Sequence, residues 1–168
     1  QFLRGGANRI FIFPGGGEFG PMSFGQLLTE KDLDTTARTR GVQAASPLTM
    51  AQAVIRFDGE TKNLVVHGIP PEEDSPVGRF VEIEKGRFLS SGDAQKVIVG
   101  ALFAEDERVF TRGVRLRDTI EINGKRYEVV GIRAKFGQRS EDSELFIPLD
   151  EAKEQFGLTD DDLNFIVL

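Results

Sequence analysis

The chain has 168 residues, 39% of them hydrophobic and 29% charged, which suits a globular protein with one ordinary core and excludes a fibrous or disordered chain. Its formal net charge of -6 argues against a nucleic-acid or anionic-membrane partner, since both are bound through clustered Lys and Arg. With no cysteine there are no disulfides, thiolate metal sites or cysteine nucleophiles, and the redox compartment stays open.

Gly 19 and Phe 14, against one Tyr and no Trp, predict many turns and a Phe-filled core. No apolar run approaches the roughly 20 residues of a bilayer span. Gln1 in place of an initiator Met, and the apolar finish Phe165 to Leu168, lead us to expect a piece of a longer protein.

In chain order, Arg9 to Phe13 is aromatic and β-branched and is stopped by Pro14-Gly15-Gly16-Gly17, which predicts a first strand entering a flexible loop that lasts to about Gly25. Thr29 with Asp32 reads as a capping box, Leu28 as a staple onto Leu33, and Gly41 as a stop. This predicts a helix over 29–40, with Glu30 and Asp32 in its first turn and Arg38 and Arg40 in its last complementing the dipole. Val42 to Pro47 reads as extended. Met50 to Phe57, Asp58-Gly59 and Lys62 to Ile69 read as a hairpin, followed by the stiff acidic connector Pro70 to Pro76. Val97-Ile98-Val99 is a short buried strand, and 101–110 is expected to be helical after it. Asn123-Gly124 marks a type I′ turn between 119–122 and 125–130, which sets Ile120 opposite Tyr127 and Glu121 opposite Arg126. Gly131 is expected to end that hairpin, at a bend or a close approach of backbone. Leu145 to Ile147 is a strand, Asp150 caps a short helix closed by Gly157, and 164–168 returns as a strand.

Candidate chemistry is thin. His67 is the single histidine and has no cysteine or second histidine with which to share a metal, so it reads as a packed or hydrogen-bonded core residue. Asp160-Asp161-Asp162 lacks the alternating spacing, central Gly and terminal Glu of a calcium loop. The Glu72 to Asp74 and Glu141 to Glu144 runs read as solvated charges rather than acid/base pairs. Pro14 to Gly20 follows a strand but lacks the Lys-Ser/Thr ending of a phosphate loop, and Ser46, Ser90 and Ser91 have no matched triad. No catalytic residue, cofactor site or metal site is assigned, and no enzymatic activity is expected. Phe19, Met22 and Phe24 are different. Large apolar side chains in a Gly-rich loop either fold back onto the core or meet a partner, and they are the candidate partner-contact residues.

Taken in order, Ile10 to Gly15, Leu28 to Pro47 (LTEKDLDTTARTRGVQAASP), Ile83 to Gly100 (IEKGRFLSSGDAQKVIVG) and Ile120 to Ile132 (IEINGKRYEVVGI) resemble the extracytoplasmic core domain of MacB-like and FtsX-like ABC transporter permeases. The closing run of strand, proline, short helix ending in Phe-Gly, and apolar strand fits as well. Gly113 to Asp118 departs from the family's entry to the central hairpin, which puts the shape of that turn in question. The resemblance implies an α+β, two-lobed module over 1–168. A porter-like α/β lobe comes from 1–50 with 137–168, and a β-rich lobe over 51–136 is inserted in it. It also implies a place outside the cytoplasmic membrane, between two transmembrane helices, coupled to a cytoplasmic ATPase, with a second permease copy and an accessory envelope protein as further partners. The alternatives from other classes are a stand-alone small α+β hydrolase and a soluble ligand-binding module.

Overall fold

In the computed structural model, residues 10–14 and 27–168 are described. The fold is α+β, dominated by a nine-stranded sheet that closes partly on itself. Strands β1 (Phe11–Ile12), β2 (Leu28–Thr29) and helix α1 (Glu30–Ala37) lead to the long strand β3 (Ser46–Phe57). β4 (Glu60–Ile69), β5 (Ile83–Gly86), β6 (Lys96–Val99), β7 (Thr119–Ile122) and β8 (Lys125–Arg133) follow. The chain ends with β9 (Leu145–Pro148), α2 (Leu149–Phe156), β10 (Asp162–Leu163) and β11 (Phe165–Val167).

Two tight turns set the register. Asp58 and Gly59 have φ of 50° and 81°, and Asn123 and Gly124 have 48° and 83°, so both dipeptides make the positive-φ turn whose twist matches the strands they join. The second turn gives the expected pairs Ile120 with Tyr127 and Glu121 with Arg126. Its hairpin is fastened to β3, where Asn123 N–H donates to Val54 O and Val54 N–H to Asn123 Oδ1, each at 2.9 Å.

β7 pairs with β3 as well as β8, so β3, β4, β9, β6, β8 and β7 form a closed ring. The β4–β9 and β6–β8 pairs are parallel and the rest are antiparallel. Alternating residues from all six strands build one core: Ile55, Val66, Leu145, Val97, Val129 and Ile120 are each fully buried there. Ala152 and Phe156 of α2 join this core, as do Phe103, Phe110 and Val114 from the segment before β7. The intervening residues Ile98 and Phe146 belong to a second core with Ile69, Val81, Phe88 and Phe165. Both faces of β6 and β9 are therefore buried, which is why Val97-Ile98-Val99 and Leu145-Phe146-Ile147 are continuous apolar runs without polar alternation.

Several expectations change. The helix expected over 101–110 is a single 3-10 turn over Ala101–Ala104. The chain is then tied down by Gly113 N–H donating to Asp106 Oδ1 (2.7 Å) and Val114 N–H to Phe103 O (2.7 Å), so that Phe103 and Phe110 can both reach the core. Gly131 does not end β8, which runs on to Arg133. It is nonetheless a point of close approach, because an added Cβ would lie 2.5 Å from Arg87 O. α1 stops at Ala37, leaving Arg40 beyond it and no basic residue in its last turn, while Thr29 and Asp32 do form the capping box. α2 begins at Leu149 with Pro148 at its N-cap and no side-chain cap, so Asp150 lies inside the first turn, and Gly157 closes the helix at φ 67°.

Candidate functional site

At one edge of the sheet, among the described residues, the strand that follows Ile10 meets the C-terminal strand. β1 and β11 are antiparallel, with Phe11 opposite Val167 and Ile12 opposite Ile166. Ile10 N–H donates to Leu168 O at 3.4 Å and Leu168 N–H to Ile10 O at 3.0 Å, which closes the pair at its outer end. β11 lies on the first residues of β3, Ser46 to Leu48, and β3 continues from there into the barrel, pairing β4 from Thr49 to Phe57. Two side chains reinforce the join: Phe165 meets Phe13 edge-on at 5.0 Å between ring centres, and Asn164 Oδ1 accepts the Met50 N–H at 3.1 Å. Residues 10 and 168 are thus connected to the barrel through β11 and the continuous strand β3.

Beside this pair, β2 and β10 form a two-stranded sheet, with Leu28 opposite Leu163 and Thr29 opposite Asp162. Lys153 of α2 is buried and donates to Asp160 O, and its ammonium lies 3.4 Å from Glu30 Oε1, so one lysine ties α2, the start of α1 and the approach to β10 together. This contact between α1 and the C-terminal segment was not visible in the residue pattern; the one available signal was a lysine on the inner face of a short amphipathic helix.

The other candidates are structural. Arg87 and Asp93 make a two-pronged pair at 2.7 and 3.0 Å, and Ser90 N–H donates to the same carboxylate. Hydrogen bonds from the Arg87 guanidinium hold Asp93 below the usual carboxylate range against the opposing effect of burial. The Gly-Arg-Phe-Leu-Ser-Ser-Gly-Asp stretch is thus a loop clamp. His67 is 7% exposed, stacks on Phe146 at 5.0 Å, and lies 3.0 Å from Glu144. Asp162 accepts from the Thr159 backbone and hydroxyl, both at 2.8 Å, which holds its carboxyl below the usual range. Glu72, Glu73 and Asp74 are exposed, whereas Asp142 is buried and accepts the N–H groups of Phe136 and Gly137 at 2.7 and 2.9 Å. Ser90 donates nothing to a base and accepts from Arg87; the Ser46 hydroxyl is buried without a hydrogen-bond partner. Among the described residues no group of three or more His, Asp or Glu is placed to hold a metal ion. Phe19, Met22 and Phe24, together with the Gly-rich loop that carries them, lie outside the described residues.

A family model described as the MacB-like periplasmic core domain matches residues 1–168. An uncharacterized ABC transporter permease of Methanocaldococcus jannaschii, MJ1507, is 27% identical over 160 residues; the match covers 94% of this chain and 39% of that protein. The extracellular domain of the noncanonic ABC-type transporter YknZ from Gram-positive bacteria superposes with a TM-score of 0.70 at 20% identity, over 95% of this chain and 82% of that one. The periplasmic region of MacB from Actinobacillus actinomycetemcomitans gives a TM-score of 0.70 at 19% identity, over 96% and 74% of the two chains. Among the described residues no helix is long and apolar enough to cross a membrane. With the family model spanning every residue and the fold shared with both solved domains, the chain belongs to the MacB-like periplasmic core domain family.

Proposed function

We propose that this chain is the non-catalytic extracytoplasmic domain of an ABC-type permease, which passes the movement of transmembrane helices on to an exported substrate or an envelope partner. The observation that carries the proposal is the β1–β11 pair, with residues 10 and 168 hydrogen-bonded to each other and β11 joined in turn to β3. A strand from near the start of the chain held beside the C-terminal strand suits a domain that rises from one transmembrane helix and returns to the next. The cytoplasmic ATPase and a second permease copy belong to the same proposal. So does the two-lobed division into 1–50 with 137–168 and 51–136; β9, counted with the first lobe, hydrogen-bonds to β4 and β6 of the second, so the lobes share one sheet. Phe19, Met22 and Phe24 are proposed as the contact for a second copy or an accessory envelope protein.

The test is made in the full-length permease. A flexible Gly-Ser insertion just before Ile10 and another just after Leu168 keep the domain folded but loosen its mechanical link. Export lost with ATP hydrolysis retained supports the proposal. Export unaffected by both insertions overturns it.

A further inference from the structure

Across four neighbouring strands one row of side chains points to the second core. Met50 of β3, His67 of β4, Phe146 of β9 and Ile98 of β6 are successive register partners. Phe146 and Ile98 lie in that core and Met50 packs against it, so His67 is an ionisable ring set in an apolar row. Its Nε2 is 3.0 Å from Glu144 Oε2 but lacks hydrogen-bond alignment, and its Nδ1 has no hydrogen-bond partner. Glu144 ends the loop of residues 134–144 that crosses from β8 to β9.

Charged groups approach the ring from the 134–144 loop and from β8. The loop supplies Glu141, Asp142 and Glu144, and β8 supplies Arg133, whose guanidinium lies over Phe80, Phe136 and Phe146 and donates to Glu141 O at 3.2 Å. From β3 and β9 the ring's register neighbours are the uncharged Met50 and Phe146. The loop also carries Arg139, which lines the same groove as Glu144, and Lys135, which is paired with Glu105, while the Asp142 carboxylate is taken up by the N–H groups of Phe136 and Gly137. One Glu141 oxygen is buried without a hydrogen-bond partner, and burial first, then the charge of Glu144, pushes the Glu141 carboxyl up.

We propose that His67 and Glu144 form a proton-operated latch that holds the 134–144 loop against β4 and tightens in mildly acid solution. Imidazole is the side chain whose charge ordinarily changes between about pH 5 and 8. A protonated ring makes a charge-assisted contact with Glu144 in a setting screened from water, which a neutral ring does not. The loop also walls one side of a groove of about 410 Å³, with Arg139 and Ser143 facing Asn63 and Val65 of β4, so the latch sets the width of that groove.

Because the chain has one histidine, its ring can be followed alone by NMR while amide exchange of residues 136–143 is measured over about pH 5 to 8 and corrected for the intrinsic rate. We expect protection of the loop to rise roughly five-fold or more as the ring protonates. Glu144→Gln, which keeps the shape and removes the charge, should abolish the rise without altering the global unfolding midpoint at neutral pH. His67→Gln should abolish it too. A ring that does not titrate in this range, loop protection indifferent to its titration, or a full rise in either variant would overturn the latch.

Discussion

Replacing Gly124 by valine tests the central hairpin with little interference from packing. The added Cβ meets nothing within 4 Å, so no clash contributes and the cost is confined to the backbone at φ 83°. A β-branched side chain held in that region costs roughly 1–3 kcal/mol. The turn cannot escape cheaply to another type, since the two hydrogen bonds between Asn123 and Val54 fix its orientation on β3. In a chain of this size each 1 kcal/mol lowers the melting temperature by about 2–4 °C, so a fall of roughly 2–12 °C is expected. Urea unfolding should show a lower midpoint at unchanged slope. Gly124→Asn is the control, because asparagine accepts positive φ, and it should lose clearly less. Valine melting like the parent, or asparagine losing as much as valine, would refute the reasoning.

Gly68→Ala acts oppositely, through space: its Cβ would stand 2.3 Å from Ala152 Cβ, so α2 must shift, and overpacking of this kind costs about 1–3 kcal/mol by denaturant unfolding. Burial pushes the phenol of Tyr127, the single tyrosine, well above its usual range, although the bond donated by Gln155 Nε2 (3.0 Å) pulls the other way. The folded state thus holds this proton more tightly than the unfolded chain. Its contribution is present below about pH 10 and is lost as pH rises further, so the ultraviolet tyrosinate signal should appear together with unfolding. Asp93 has the reverse sign: held low by Arg87, it contributes stability above the usual Asp range that is lost as pH falls through its folded value. Arg87→Gln should therefore flatten the acid limb of stability, by no more than about 1 kcal/mol because the arginine is half-exposed. Finally, Ile10 and Leu168 exchange both backbone bonds, which makes Phe11 and Val167 the closer kind of antiparallel pair. Phe11→Cys with Val167→Cys should oxidise to an intramolecular disulfide visible as a mobility shift on non-reducing gels, and absence of that disulfide would contradict the terminal pairing.

Local signals carried well from sequence to structure. Asn123-Gly124, Asp58-Gly59, the Thr29–Asp32 capping box and Gly157 each act over a few residues, and each stands where its chemistry requires. The apolar triplets at 97–99 and 145–147 were legible as buried strands for the same reason. Failures came where a segment's own preference lost to a distant partner. Residues 101–110 have helical composition, but the anchoring of Gly113 by Asp106 and the burial of Phe103 and Phe110 in the barrel core outweigh it. Arg87 and Asp93 were visible as residues within a family stretch, while their role as a clamp became evident from their two-pronged geometry.

The barrel's closure shows where reading by residue pattern stops. Periodicity can say that β6 and β9 are buried on both faces, but not that they are neighbours, since Ile98 meets Phe146 from a remote part of the chain. The parallel β4–β9 and β6–β8 pairs have no turn to announce them, unlike the two hairpins. The same limit governs the candidate site. Arg9 to Phe13 and Asn164 to Leu168 each read as a strand, yet their union exists only because β11 docks on Ser46 to Leu48 and offers its other edge to β1. What unites these ends is a long-range pairing that local composition does not encode and that the barrel makes available through β3. That pairing is why the proposed function is sought in the terminal strands rather than in any cluster of reactive side chains.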